Sequence, residues 1–270
     1  MTYQLIDSGD LQKLERFGDF TLIRPSPQAI WRPRHPEAWK KADASFSREK
    51  ESKWQFVRKL PPSWTVEIGG VRFKIAPTDF GHLGAFPEHA ALWTKAASFV
   101  KKPMRVLNLF AYSGGVTLAL AKAGAEVCHV DASKGMVAWA RENAALNQLG
   151  KAPIRWIVDD VMKFLKREAK RNSHYDGIIL DPPTFGRGSQ GEVFKIETDL
   201  LPLLSLCKEI WTKRFLILSC HTPGITPLVL RQITEQMFGA DHLETGDLLL
   251  QGPDTFSIPN GCYVIKTDHE

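Results

Sequence analysis

From Met104 onward, short apolar runs alternate with segments of helical period, and this alternation constrains the fold more than any other feature of the chain. "RVLNLF" reads as a strand and "GVTLALAKAGA" as a helix closing at Gly124. "EVCHVDA" is a second strand, followed by the helix "SKGMVAWARENAALNQLG" with Ser133 as N-cap and Gly150 as its stop. "IRWIVDD" and "YDGIILD" are the third and fourth strands, with the helix "VMKFLKREAK" between them. A helix is expected within 192–211, then the fifth strand "RFLILSC", the helix "TPLVLRQITEQMFG" and two closing strands, "HLETGDLLLQ" and "GCYVIKTD". Five strand–helix alternations predict an α/β fold: a seven-stranded, mostly parallel sheet covered on both faces, with an antiparallel C-terminal strand at one edge. Ligands of such sheets bind beyond the carboxyl ends of the strands, where strand order reverses.

Residues 1–80 lack this rhythm and are expected to form a small β-rich accessory domain, leaving 81–270 to the sheet. "DFTLIRP" and "QAIWRP" read as short strands broken by prolines, and "TVEIGGVRFKIA" as a hairpin turning at Gly69-Gly70. The net charge of +5 is uneven: residues 24–59 hold ten Lys/Arg against four acids. Five aromatics, Trp31, Trp39, Phe46, Trp54 and Phe56, interleave with those charges. Basic plus aromatic composition suits phosphate contact and base stacking, and nominates the accessory domain for RNA binding. The polar start "MTYQLIDSGD" is not read as a signal peptide, and no apolar run is long enough to predict a membrane span. Four widely spaced cysteines predict neither a disulfide framework nor a metal site; a cytoplasmic, reducing location is expected.

The strand ends carry the chemistry. "LNLFAYSGG" runs from strand through a small-residue turn into a helix start, a shape that admits a ligand close to backbone amides. It is not G-x-G-x-x-G, which argues against a dinucleotide and an oxidoreductase. The next strand ends in Asp131, where a carboxylate accepts both hydroxyls of a ribose. The third ends in Asp159-Asp160, where one acid reaches an adenine amino group, and the fourth in Asp181. Together they outline an adenosine with a zwitterionic tail. The chain resembles the class I S-adenosylmethionine-dependent methyltransferases. "NLFAYSGG", "HVDASKG", "DPPTFG" and "LILSC" are similar to the bacterial large-subunit rRNA methyltransferase family, with its cytosine-C5 and guanine-N7 branches. The resemblance covers about residues 80–270 and implies a Rossmann-like sheet, S-adenosylmethionine as cofactor and an RNA partner. It implies cofactor contacts from Asn108, Phe110, Ala111, Tyr112, Ser113 and Gly114 in the first loop. Further contacts are implied from Asp131, Ala132, Ser133, Asp160, Val161 and Asp181, and from Phe86 in "GHLGAFPEH". That segment carries Glu88-His89-Ala90 where the commoner family form has Asp-Gln-Arg.

"DPPTF" closes a buried strand with an acid, two prolines and an aromatic. Pro182 and Pro183 fix the turn, Asp181 accepts hydrogen bonds, and Phe185 offers a face to a flat base. These four are expected in catalysis beside Cys220, which ends the fifth strand. Methylation at cytosine C5 requires a thiolate to add at C6 first, a role for Cys220. The resemblance supports this, since the cytosine-C5 branch carries Ser-Cys here. Thr184 points the other way, because the cytosine-C5 branch usually has Lys at that position and "DPPTF" is similar to the guanine-N7 branch. The residues leave cytosine C5 and guanine open. They also leave open a protein or small-molecule acceptor, and a non-catalytic RNA-binding protein that keeps the fold.

Overall fold

The computed structural model describes all residues except 49–52, 102, 189–190 and 268–270. Glu49, Lys50 and Glu51 of the basic segment, and Asp268 of the last expected strand, lie outside the described residues. The chain divides into two compact units: Met1–Ala91 with Leu249–Asn260, and Leu92–Leu248 with Gly261–Glu270. Residues 81–91, assigned to the sheet domain by the sequence, thus pack with the first unit.

The first unit holds β1 (Tyr3–Gly9), β2 (Gln12–Phe17), β3 (Phe20–Pro25), β4 (Ala44–Ser47) and β5 (Lys53–Phe56), joined in that order into one sheet. A one-turn helix, α1 (Pro36–Trp39), lies between β3 and β4. β6 (Trp64–Ile68) and β7 (Val71–Ile75) form the expected hairpin, in which Gly69 and Gly70 both take positive φ (53° and 76°). That two-residue turn needs left-handed backbone at both positions. "QAIWRP" is not a strand. Its carbonyls at Ala29 and Trp31 receive N–H groups from Leu11 and Asp10, but no second strand follows it, and Pro33 has no N–H to offer.

A short turn of helix at Pro87–His89 leads into α2 (Ala90–Ser98), whose residues from Leu92 onward belong to the second unit. Then follow β8 (Arg105–Leu109), α3 (Gly115–Ala123), β9 (Glu126–Asp131), α4 (Lys134–Leu146), β10 (Ile154–Val158), α5 (Val161–Lys170) and β11 (Tyr175–Leu180). A small ribbon, β12 (Phe185–Arg187) and β13 (Val193–Lys195), precedes α6 (Ile196–Ile210), β14 (Trp211–Cys220), α7 (Pro227–Phe238), β15 (Leu243–Leu250) and β16 (Ile258–Thr267). The seven-stranded sheet has the order β10-β9-β8-β11-β14-β16-β15. Neighbours from β10 to β14 are parallel, and β16 runs antiparallel to β14. α4 stops at Leu146 rather than Gly150, because Asn147 caps it and Gln148 turns left-handed (φ 61°).

Successive residues of the central strands feed opposite cores. Leu107, Leu109, Ile178, Leu180, Leu216 and Leu218 pack on one face with α5, α6 and α7. Val106, Val127, Ile179 and Ile217 pack on the other with α2 and α3. Both faces are therefore apolar, as a parallel sheet requires. The sheet is tightest at Gly177, opposite Phe215 in the β11–β14 ladder, where a Cβ would lie 2.2 Å from the Phe215 ring. Gly177→Ala is therefore expected to destabilise the unit by about 1–3 kcal/mol, the usual cost of overpacking. Urea unfolding of Gly177→Ala against the double variant with Phe215→Leu, which should recover most of the loss, checks this.

Candidate active site

β8 is the strand from which the chain first walks outward through β9 to β10, then returns to start β11 on the other side. The crevice at its carboxyl end is the switch point of the sheet. In register, Leu109 faces Val130 on one side and Leu180 on the other. Asp131 and Asp181 each come one residue later, so they flank the loop after β8 on the same edge, about 10 Å apart at two strand spacings. Asp159 hydrogen bonds through its N–H to the Asp131 carbonyl (3.1 Å), which brings the start of α5 to the same edge.

The loop after β8 bends unusually. Phe110, Tyr112 and Gly114 all have positive φ (54°, 49° and 92°). The first two carry a Cβ and cost of order 1–3 kcal/mol each in that region. Identifiable bonds hold them. Ala111 N–H donates to the Val130 carbonyl (3.1 Å) and Tyr112 N–H to Asp131 Oδ2 (2.8 Å). Asn143 Nδ2 reaches from α4 to the Ser113 carbonyl (2.9 Å). At Gly114 a Cβ would sit 3.1 Å from Ala140 Cβ, so only glycine allows both the turn and the approach of α4.

Asp131 is the hub of this edge. Its Oδ2 takes the Tyr112 N–H and its Oδ1 the Ser133 N–H (2.8 Å), while Ser133 Oγ caps α4 through Met136 N–H. Each oxygen keeps a second lone pair for a ribose hydroxyl. Burial raises its pKa above the ordinary carboxylate value, against the lowering effect of the two N–H groups. Ala132 lies between the two polar anchors, half-buried. Asp160 caps α5 through Oδ1 and Lys163 N–H (2.9 Å), while its neighbour Asp159 pairs with Arg167. A cap uses one lone pair, so Asp160 can cap and still accept from an adenine amino group. Val161, at the first position of α5, is buried.

Two further expected residues, Asn108 and Phe86, make contacts of their own within the protein. Asn108 is buried, and its Nδ2 donates to Thr117 Oγ1 (2.9 Å), which meets His129 Nδ1 at 2.9 Å. This polar chain lies under the loop and braces it; burial pushes the His129 imidazole down to about 3, so it is neutral. The Trp156 ring packs on His129 at 4.8 Å. Thr117, His129, Asn143 and Trp156 are absent from the residues nominated by sequence. Three of them are polar groups inside otherwise apolar elements, a legible signal of a buried network. Phe86 belongs to the first unit, with its ring 5.3 Å from that of His82.

At the other side of the loop, Asp181 Oδ1 accepts from Ser219 Oγ (2.7 Å) and lies 3.6 Å from His221 Nε2. Pro182 is buried and Pro183 half-buried. Thr184 Oγ1 shares a hydrogen bond with Thr222 Oγ1 (2.8 Å), and Phe185 stands 49% exposed. Cys220 lies deeper than the strand-end acids. It is 1% exposed, in the core with Leu218, Cys262 and Val264, and its sulfur accepts the Thr222 N–H (3.4 Å). Burial raises its thiol pKa, which disfavours the thiolate a nucleophile needs. The neighbouring Ser219, not Cys220, turns its side chain to Asp181.

Most aromatics of the basic segment are engaged in folding, while its cations other than Arg24 are exposed among the described residues. The Trp39 indole donates to Asp7 (2.9 Å), Trp31 to the Ser8 carbonyl (3.1 Å) and Trp54 to the Thr78 carbonyl (2.8 Å). Phe46 is buried, which leaves Phe56 as the exposed one of the five. Arg24 is buried against Glu15 (2.7 Å), and Arg34 and Arg58 pair with Asp254 and Asp43.

A glycine-sealed turn, a ribose-suited carboxylate and a second acid on one edge of such a sheet define a nucleoside-binding α/β enzyme. The chain belongs to the S-adenosylmethionine-dependent methyltransferase family, whose model matches residues 47–255. The SAM-dependent methyltransferase from Agrobacterium tumefaciens is 38% identical over 100% of this chain and 91% of that one, with a TM-score of 0.93. SMU.776, solved in complex with SAH, shares the fold at 22% identity and a TM-score of 0.79, over 98% of this chain and 75% of that one. The ribosomal RNA large subunit methyltransferase K/L of Shewanella sp. (strain ANA-3) is 34% identical over 140 residues, 51% of this chain and 20% of that protein. The chain thus spans about a fifth of the length of the curated relatives it matches. Among the described residues no helix is long and apolar enough to cross a membrane.

The cofactor is S-adenosylmethionine, and the Gly114 cradle and the doubly anchored Asp131 fit it. Hydroxyl donors prefer the ionised carboxylate, so protonating Asp131 should weaken binding. Because its pKa is raised, SAH affinity should begin to fall at a higher pH than the ordinary Asp value of about 3.9 would give. Isothermal titration across pH checks this, and Asp131→Asn should bind weakly and without that pH dependence.

Proposed function

We propose that the chain methylates a nitrogen of an RNA nucleobase. The observation that carries this reading is the Asp181 carboxylate, oriented by Ser219 and followed by two prolines and a half-exposed phenylalanine. It stands one residue beyond the strand that faces the cofactor loop. The RNA acceptor is supported by the ribosomal RNA methyltransferases among the chain's relatives.

The cofactor supplies a methyl group on a sulfonium, already electrophilic, so the protein's work is positioning. Asp181 accepts an N–H hydrogen bond from the base, which fixes the nitrogen and localises its lone pair. Ser219 holds the carboxylate in one orientation. His221, within 3.6 Å, is near enough to relay a proton released from a methylated amino group. The prolines stiffen the turn so that these directions are retained. Phe185 stacks on the flat base, which must be single-stranded or extruded to reach it.

Cytosine C5 is disfavoured, because it needs a thiolate and Cys220 is buried with its thiol pKa raised. Asp181→Asn should lower kcat by about 100-fold or more while SAH affinity stays within a few-fold. Tritiated methyl transfer to total RNA, followed by mass spectrometry of the nucleosides, measures this and identifies the product. Cys220→Ser should keep most of the wild-type rate, and RNA containing 5-fluorocytosine should trap no covalent complex. A trapped complex that Cys220→Ser abolishes would overturn the nitrogen assignment in favour of C5.

A further inference from the structure

The ribbon β12–β13 has two different faces. Gly186 and Phe194 form one: a Cβ on Gly186 would sit 3.1 Å from Pro183 Cγ, and the Phe194 ring packs 5.4 Å from that of Phe110 in the cofactor loop. Phe194 is buried. The alternate residues, Phe185, Arg187, Val193 and Lys195, form the other face, and all four are exposed. In the antiparallel register Phe185 faces Lys195 and Arg187 faces Val193. Four neighbouring side chains thus present an aromatic ring, an aliphatic group and two cations, with no acid among them. The nearby Glu192 is paired with Lys163 instead. The Arg187 guanidinium lies over the Phe185 ring, 5.6 Å from its centre.

We propose that this exposed face binds a single-stranded stretch of RNA, with Phe185 stacking on a base and Arg187 and Lys195 contacting the phosphates beside it. The assignment rests on the RNA reading given above and extends it to the nucleotides flanking the acceptor. A face of two uncompensated cations with an aromatic between them matches the repeating anion and flat base of a single strand. A protruding ribbon of this kind would repel an acid-free, basic partner and gains little from a neutral one. The inward face attaches it: Gly186 packs close to the proline turn and Phe194 meets Phe110 of the loop after β8. A strand bound outside is thereby kept in register with the methyl donor.

The test measures binding of a short mixed-sequence single-stranded RNA as a function of salt, for wild type, Arg187→Ala, Lys195→Ala, the double variant and Phe185→Leu. Each lost cation should weaken binding several-fold at low salt and reduce the slope of log K against log salt by about 0.7. Phe185→Leu should weaken binding about tenfold with the slope unchanged. SAH affinity should stay within twofold throughout, since none of these side chains anchors the cofactor loop. If the double variant binds and methylates RNA as wild type does, the ribbon assignment is wrong and the RNA reading stands. An equal loss of SAH and RNA binding would make the ribbon a structural brace and overturn the assignment. A wild-type enzyme that methylates only proteins or small molecules overturns both.

Discussion

One carboxylate joins the parts of this site. Asp131 closes β9 and receives two backbone N–H groups, one from the loop after β8 and one from the start of α4. Without it, the Tyr112 amide would lose the charged acceptor that helps hold a segment already bent into left-handed backbone. Hydrogen bonds to a charged acceptor are about twice as strong as neutral ones, so this pair offsets part of the strain at Phe110 and Tyr112. The same carboxylate is presented to the ligand. Its raised pKa reports the conflict: burial opposes the charge that both loop and ligand require. The fold tolerates the conflict because N–H groups from two elements meet on it.

Strain and support are matched on the two sides of the loop. On the β9 side the support is polar: Asp131, and below it the buried chain Asn108–Thr117–His129 with Asn143 from α4. On the β11 side it is apolar: the Phe110 ring packs against Phe194 of the ribbon, tilted at 59°. The apolar contact carries the geometry of the cofactor loop to the turn that presents Asp181 and Phe185. The loop after β8 and the proposed base platform at Phe185 are thus joined by packing. That matters for a reaction whose rate depends on the alignment of two bound partners.

The large elements were legible because period and length agree. Strands of five or six apolar residues alternating with amphipathic helices leave few foldings, and the cap at Ser133 marks a helix start. The ribbon was not legible, since three-residue strands are too short to display a period of two. The burial of Cys220 was hidden for a related reason. Both faces of this sheet are apolar, so "LILSC" gives no sign of which face the sulfur takes. The preceding residue decides it, because Ser219 turns to Asp181 and strand alternation then sends Cys220 into the core. Composition also does not tell which charges of the basic segment meet an acid. Glu15, Asp10 and Asp254 lie outside residues 24–59 in sequence, yet they neutralise Arg24, Arg32 and Arg34.

The residues that composition undervalued are those of the ribbon. Arg187 and Lys195 are a small fraction of the chain's cations, but they project from the element that begins with the base platform. Position relative to the reacting group weighs more than count. A phosphate contact next to the acceptor fixes where that base lies, whereas a distant basic surface raises affinity without aligning anything. The ribbon's attachment makes such a contact useful: Gly186 packs by Pro183 and Phe194 by Phe110, so the ribbon adjoins both the proline turn and the loop after β8. Binding energy gained on the outer face is then available for alignment at the methyl group, which is where a positioning enzyme needs it.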